Sequence, residues 1–186
     1  MGSVVSALVF KNGTSKIAGE RIPKDLFSLE VKDIDGKTDK LSYYTENRKA
    51  TLFVNVASKW GLTDVNYREL VEIDNIYRSK GLEILGFPCR QFGGQEFEKE
   101  EDIKNFIKQY NVEFPMFSLI EVNGKNTHPV YLYLKANTEE FVSKDGLKDI
   151  AWNFGKFLVN SEGKIAHYYG PKTNPKSFIS DIEKML

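Results

Sequence analysis

Two short, nearly unbroken apolar runs, ATLFVNVA at 50–57 and LEILGFP at 82–88, have the pattern of strands buried on both faces. Between them, from 63 to 80, apolar residues recur at Val65, Leu70, Ile73, Ile76 and Tyr77. That spacing predicts an amphipathic helix, stopped by Gly81. Ahead of the first run, FSLEVKDIDGKTDKLSYY alternates, turns at Asp35-Gly36 and alternates again, which predicts a β-hairpin. A second helix is predicted from about 100 to 110, with Ile103, Phe106 and Ile107 on one face. FPMFSLI at 114–120 reads as extended, and HPVYLYLKAN at 128–137 as a helix with Pro129 in its first turn. KFLVN and KIAHYY flank Ser161-Glu162-Gly163 as a hairpin, and 174–186 closes the chain as a helix.

The order strand, helix, strand, helix, hairpin, helix is a right-handed βαβ unit followed by an antiparallel ββα unit, the thioredoxin arrangement. The expected class is therefore α/β, a central mixed sheet flanked by helices, with an N-terminal β-hairpin. Residues 25–186 are expected to form one domain and 1–24 a tail or leader.

Composition fits a soluble globular chain, 41% apolar and 28% charged over 186 residues. Lys+Arg and Asp+Glu balance at 26 each, so whole-chain charge gives no case for nucleic acid or an acidic membrane. Cys89 is the single cysteine, which excludes a disulfide-stapled fold. No apolar run reaches the roughly 18 residues of a spanning helix. The start lacks a basic segment before its short apolar piece, so it makes a poor signal peptide, and a cytoplasmic chain is expected, a leader to an organelle or secretion being the alternative. Met1-Gly2 with Ser6 fits a myristoylation pattern and Asn12-Gly13-Thr14 a glycosylation sequon; both read as chance matches.

In an open α/β sheet, chemistry gathers beyond the carboxyl ends of the strands. Here the first buried run ends near Ala57, the next helix begins near Thr63, and SKWG lies between. A side chain at that junction faces the positive end of a helix, where an anionic sulfur or selenium is stabilised. The position is occupied by Trp60.

Three ordered stretches, NVASKWGLTDVNY, LEILGFPCRQFGGQEF and WNFGKFLVNSEGK, resemble the glutathione peroxidase family, and VNGKNTHPVYLYLK fits a further stretch of it. The resemblance runs from about Leu26 to the C-terminus. It implies reduction of hydroperoxides to water or alcohol, with glutathione as reducing co-substrate and no other cofactor. It carries the family's nucleophile position onto Trp60 and its glutamine, tryptophan and asparagine onto Gln95, Trp152 and Asn153. The short ANTEEFVSKDGLKDIAWNF resembles the monomeric, phospholipid-hydroperoxide type, so a monomer with a site open to lipid peroxides is expected. No metal is expected, because His128 and His167 stand alone.

The departures bear on activity. Trp60 offers one indole N–H and no reactive lone pair, so little or no peroxide attack is expected of the chain as written. Selenocysteine is encoded by UGA, one base from the tryptophan codon. Trp60 is read first as a decoded selenocysteine codon, then as an engineered change, then as an evolutionary loss. Arg90 and Phe97 replace the family's usual asparagine and proline, and Lys108 falls near where cysteine-type members carry a resolving cysteine. An internal disulfide cycle is thereby excluded. Cys89 is expected to be a buried, inert thiol. Lys59, Arg90 and Lys125 are candidates to attract glutathione carboxylates, plain surface solvation being the other reading. The alternative function is a non-catalytic scaffold or redox-signalling binding protein on the same fold.

Overall fold

The computed structural model describes residues 14–15 and 21–186. Most of the predicted tail, with the myristoylation pattern and nearly all of the sequon, lies outside the described residues. Within it, β1 (Thr14–Ser15) pairs antiparallel with residues 147–148.

The centre is a four-stranded sheet. β4 (Ala50–Val56) and β5 (Leu82–Pro88) run parallel, joined by α2 (Thr63–Tyr77), and every residue of both strands is buried. The antiparallel hairpin of β8 (Lys156–Asn160) and β9 (Ile165–Tyr169) adds to the other side of β4, for the order β5-β4-β8-β9. This is the predicted mixed sheet of the thioredoxin arrangement. α3 (Glu100–Ile107), α4 (Pro129–Ala136) and α5 (Ile179–Glu183) complete the helices that follow α2. One apolar layer packs β4 and β5 against α2, α3 and the C-terminal turn, around Leu52, Val54, Leu70, Ile84 and Ile103. The other packs the opposite sheet face against α4, around Phe53, Phe87, Tyr131 and Phe157.

The N-terminal hairpin forms from β2 (Glu30–Lys32) and β3 (Thr38–Lys40), turning through Gly36. Its second arm is shorter than the alternation predicts: from Leu41 the chain winds into the short helix α1 (Leu41–Thr45), which buries Leu41. On α2, Ile76 is half exposed, and the buried stripe is Thr63, Tyr67, Leu70, Ile73 and Tyr77. The stretch 114–120 is extended without becoming a strand. It bonds to β5 at Gly86 and Pro88 and touches the hairpin at Asp33. Pro115 and Pro88 remove donors a full ladder would need. The closing helix opens with a 3-10 turn at Pro175–Phe178 before α5. The strands β6 (Val142–Ser143) and β7 (Gly146–Lys148) also escape the pattern; they pair with each other, and β7 pairs with β1. Among the described residues, no helix is long and apolar enough to cross a membrane.

Candidate functional site

The site forms where three loops meet at the C-terminal ends of β4 and β5. The first carries Trp60. Its amide donates to Thr63 Oγ1 at 3.1 Å, the Thr63 hydroxyl donates to the Ala57 carbonyl at 2.7 Å, and the Thr63 amide donates to the Trp60 carbonyl at 3.0 Å. Thr63 thus locks the turn that delivers position 60 to the N-terminus of the 15-residue helix α2.

The second loop follows β5. Gly93 and Gly94 both take φ of 64°, a left-handed conformation cheap for glycine, and the turn presents Gln95. The third loop carries Trp152 and Asn153, pinned to the end of β4 by Asn55. The Asn55 amide donates to the Trp152 carbonyl at 3.1 Å, and the Asn55 carbonyl accepts from the Phe154 amide at 2.6 Å. Phe154 itself takes φ of 60°, a strained conformation for a non-glycine residue.

Gln95, Trp152 and Asn153 converge on one atom. Gln95 Oε1 accepts from Trp152 Nε1 at 3.2 Å and from Asn153 Nδ2 at 2.8 Å. Asn153 is fully buried, whereas Trp152 is 37% exposed and edges toward Phe92. Trp60 stands beside this set. Its ring stacks on Phe154, centroids 6.1 Å apart at 20°, and with Trp152 it walls a cleft of about 510 Å³. Ala151, Gly170, Pro171, Lys172 and Thr173 complete that cleft, largely apolar with one cation.

Burial pushes the Cys89 thiol up to about 11, so it is no rival nucleophile. Of the candidate cations, Arg90 is held by Glu98 at 2.8 Å, and Lys59 lies over the Phe97 ring at 4.2 Å. Lys125 is exposed, and its carbonyl accepts from Arg21 at 3.1 Å. The cleft's own cation, Lys172, is not among the sequence candidates. Among the described residues, no three His, Cys, Asp or Glu side chains gather as a metal site requires.

Three residues that shape the site are absent from the sequence reading. Asn55 could have been found as the one amide in an apolar strand. Lys156 could have been found as a lysine opening a buried strand. It is 0% exposed, and its Nζ donates to the carbonyls of Phe154 at 2.6 Å and Thr173 at 2.9 Å, joining the donor loop to the far wall of the cleft. Glu96 gave no signal beyond its place after Gln95.

Comparison with known proteins bears on the family and the fold. Residues 26–135 match the family model described as glutathione peroxidase. The chain is 47% identical over 167 residues to "Probable glutathione peroxidase 2" of Arabidopsis thaliana, covering 88% of this chain and 94% of the relative. It is 43% identical over 165 residues to "Probable phospholipid hydroperoxide glutathione peroxidase" of Solanum lycopersicum, with the same coverage of 88% and 94%. Among solved structures, that of Trgpx in apo form superposes with a TM-score of 0.67 at 30% identity, over 88% of this chain and 96% of that one.

Proposed function

The chain belongs to the glutathione peroxidase family, and from that premise we propose that its site is built for glutathione-dependent reduction of hydrogen peroxide and of organic and lipid hydroperoxides, in the response to oxidative stress, while Trp60 leaves the chain as written with little or no activity. The observation that carries the reading is the convergence of Trp152 and Asn153 on Gln95 Oε1, beside position 60 at the start of α2.

With selenocysteine or cysteine at position 60, the helix N-terminus favours the anion. The chalcogenide attacks the distal peroxide oxygen, the O–O bond breaks, and the departing alkoxide takes a proton to leave as alcohol. The Gln95 amide N–H groups, the second Asn153 N–H and the Trp152 indole N–H, once it turns from Gln95 Oε1, would steady the anion and the departing oxygen. One glutathione then condenses with the oxidised centre and releases water. A second takes the glutathione off as disulfide and restores the chalcogenide. A one-centre cycle follows from the absence of a second cysteine near Lys108. The apolar cleft beside Trp152 suits an acyl hydroperoxide, and Lys172 suits an anionic group on either substrate. The short segment before Trp152 supports a monomer.

One observation favours the scaffold alternative: Trp60 is packed against Phe154 rather than left loose, as an established replacement would be. Peroxide turnover with glutathione decides between them. Trp60→Cys should create activity that Gln95→Ala then weakens. A folded Trp60→Cys protein that stays silent toward both hydrogen peroxide and a lipid hydroperoxide would favour the scaffold.

A further inference from the structure

Beside Gln95 lies a buried acid that the donor set does not use. Glu96 is 1% exposed, and its Oε1 accepts from the backbone amides of Ser58 at 3.2 Å and Phe97 at 2.9 Å. Next to it, the Gln95 carbonyl accepts from the Lys59 amide at 2.9 Å. Two consecutive amides leading into position 60 are therefore gripped by two consecutive residues of the facing loop. The Phe97 amide is available because this chain lacks the proline usual there, and proline has no N–H to give.

Among the described residues, no cation closes on this carboxyl. Lys59 is turned over the Phe97 ring, and Arg90 pairs with Glu98, reaching Glu96 only through its carbonyl at 3.4 Å. From α2, Tyr67 is close enough for the Glu96 charge to raise its hydroxyl further above the usual range, beyond the effect of its own burial. Glu96 Oε2, the Ser58 hydroxyl and the Tyr67 hydroxyl are all buried without hydrogen-bond partners. Burial pushes Glu96 up to about 7, opposed by the hydrogen bonds from the Phe97 and Ser58 amides and by the charge of Lys59.

We propose that Glu96 is the positioning residue of the nucleophile segment: it fixes the Ser58 amide beside Gln95, and its charge state sets the ionisation of whatever nucleophile stands at position 60. An ionised carboxylate opposes a second anion nearby, and a neutral one permits it. The proposal rests on the peroxidase reading only in taking position 60 as the nucleophile's place, and its test needs no turnover.

In the full chain carrying Trp60→Cys, the alkylation rate of the new thiol by iodoacetamide is followed against pH. Peptide mass spectrometry counts Cys89 apart. Glu96→Gln keeps the size and an acceptor oxygen but removes the charge, and should lower the midpoint of the profile by about one pH unit. An unchanged midpoint in protein shown folded by circular dichroism overturns the proposal. The reciprocal measurement leaves Glu96 in place: its carboxyl carbon NMR signal is titrated before and after the thiol is capped with iodoacetamide. Linkage requires the thiol and carboxyl midpoints of the uncapped Glu96 protein, added together, to exceed the capped protein's carboxyl midpoint plus the Glu96→Gln thiol midpoint by about one pH unit, and equal sums overturn the proposal equally. Absence of peroxide turnover alongside shifted midpoints would sink the peroxidase reading and uphold this one.

Discussion

Replacing Lys156 with methionine probes the joint between the donor loop and the cleft wall. Burial pulls this lysine from its usual 10.5 down to about 7, with Glu69 pulling weakly the other way. Between those two values the unfolded chain holds a proton that the folded chain has released. The unfolded state then binds more protons, so stability rises with pH across that window, and the burial cost is greatest below it. Between about pH 7 and about pH 9, one site with these two values relieves about 2 kcal/mol. Lys156→Met keeps the apolar stem but cannot titrate. It also strips the Phe154 and Thr173 carbonyls of their donor, at about 1–3 kcal/mol each, independent of pH. Urea unfolding followed by circular dichroism at three pH values should therefore show the wild-type advantage over the variant growing by about 2 kcal/mol from about pH 7 to about pH 9. Lys135, lowered to about 8 by burial, titrates in both proteins and cancels. A wild-type advantage that stays flat with pH would refute the reasoning, since Lys156 would then keep its usual ionisation inside the fold.

Two further substitutions test contacts in the sheet and the site. Gln95→Ala removes the acceptor of the buried Asn153 amide, while the exposed Trp152 indole can turn to water, so about 1–3 kcal/mol of stability should be lost in thermal melts. In the Trp60→Cys background the same change should cut peroxide turnover by roughly a hundredfold, and full retention would remove Gln95 from the proposed chemistry. Gly86→Ala would drive a methyl group into Met116 Sδ, with the Phe114 ring 3.5 Å away, and both side chains are buried. A loss of about 1–3 kcal/mol is expected, and an unchanged melting temperature would show that Met116 swings aside freely.

The fold was legible wherever burial on both faces forced long apolar runs. β4 and β5 could be read almost to the residue, because a parallel pair between two layers tolerates few polar side chains. The short pairs β6 and β7 were not legible, since two or three residues carry no period. α1 hid inside an alternation that continued the hairpin on paper, although only Leu41 in it needed burial. On α2 the pattern pointed to Ile76, and the fold buried Asp74 and Asn66 instead, because polar groups there find partners in Arg78 and the Leu62 carbonyl.

The candidate site was legible through motif resemblance rather than periodicity. Trp60, Gln95, Trp152 and Asn153 lie on three separate loops, and nothing in their local sequence says that they meet. Glu96 and Lys156 stayed hidden for a physical reason. Charged residues are usually solvated, and only the packed structure reveals that one grips the Ser58 amide and the other bridges two carbonyls in the interior.

The proposed site has position 60 as the place of its nucleophile, with the rest of a peroxidase site around it. It is tested most directly by treating the Trp60→Cys chain with one equivalent of a phospholipid hydroperoxide, then with glutathione, and mapping the products by mass spectrometry. One oxygen added at residue 60, its replacement by a glutathione adduct, and an unmodified Cys89 are expected. A folded protein whose residue 60 stays reduced while the hydroperoxide is not consumed would contradict it.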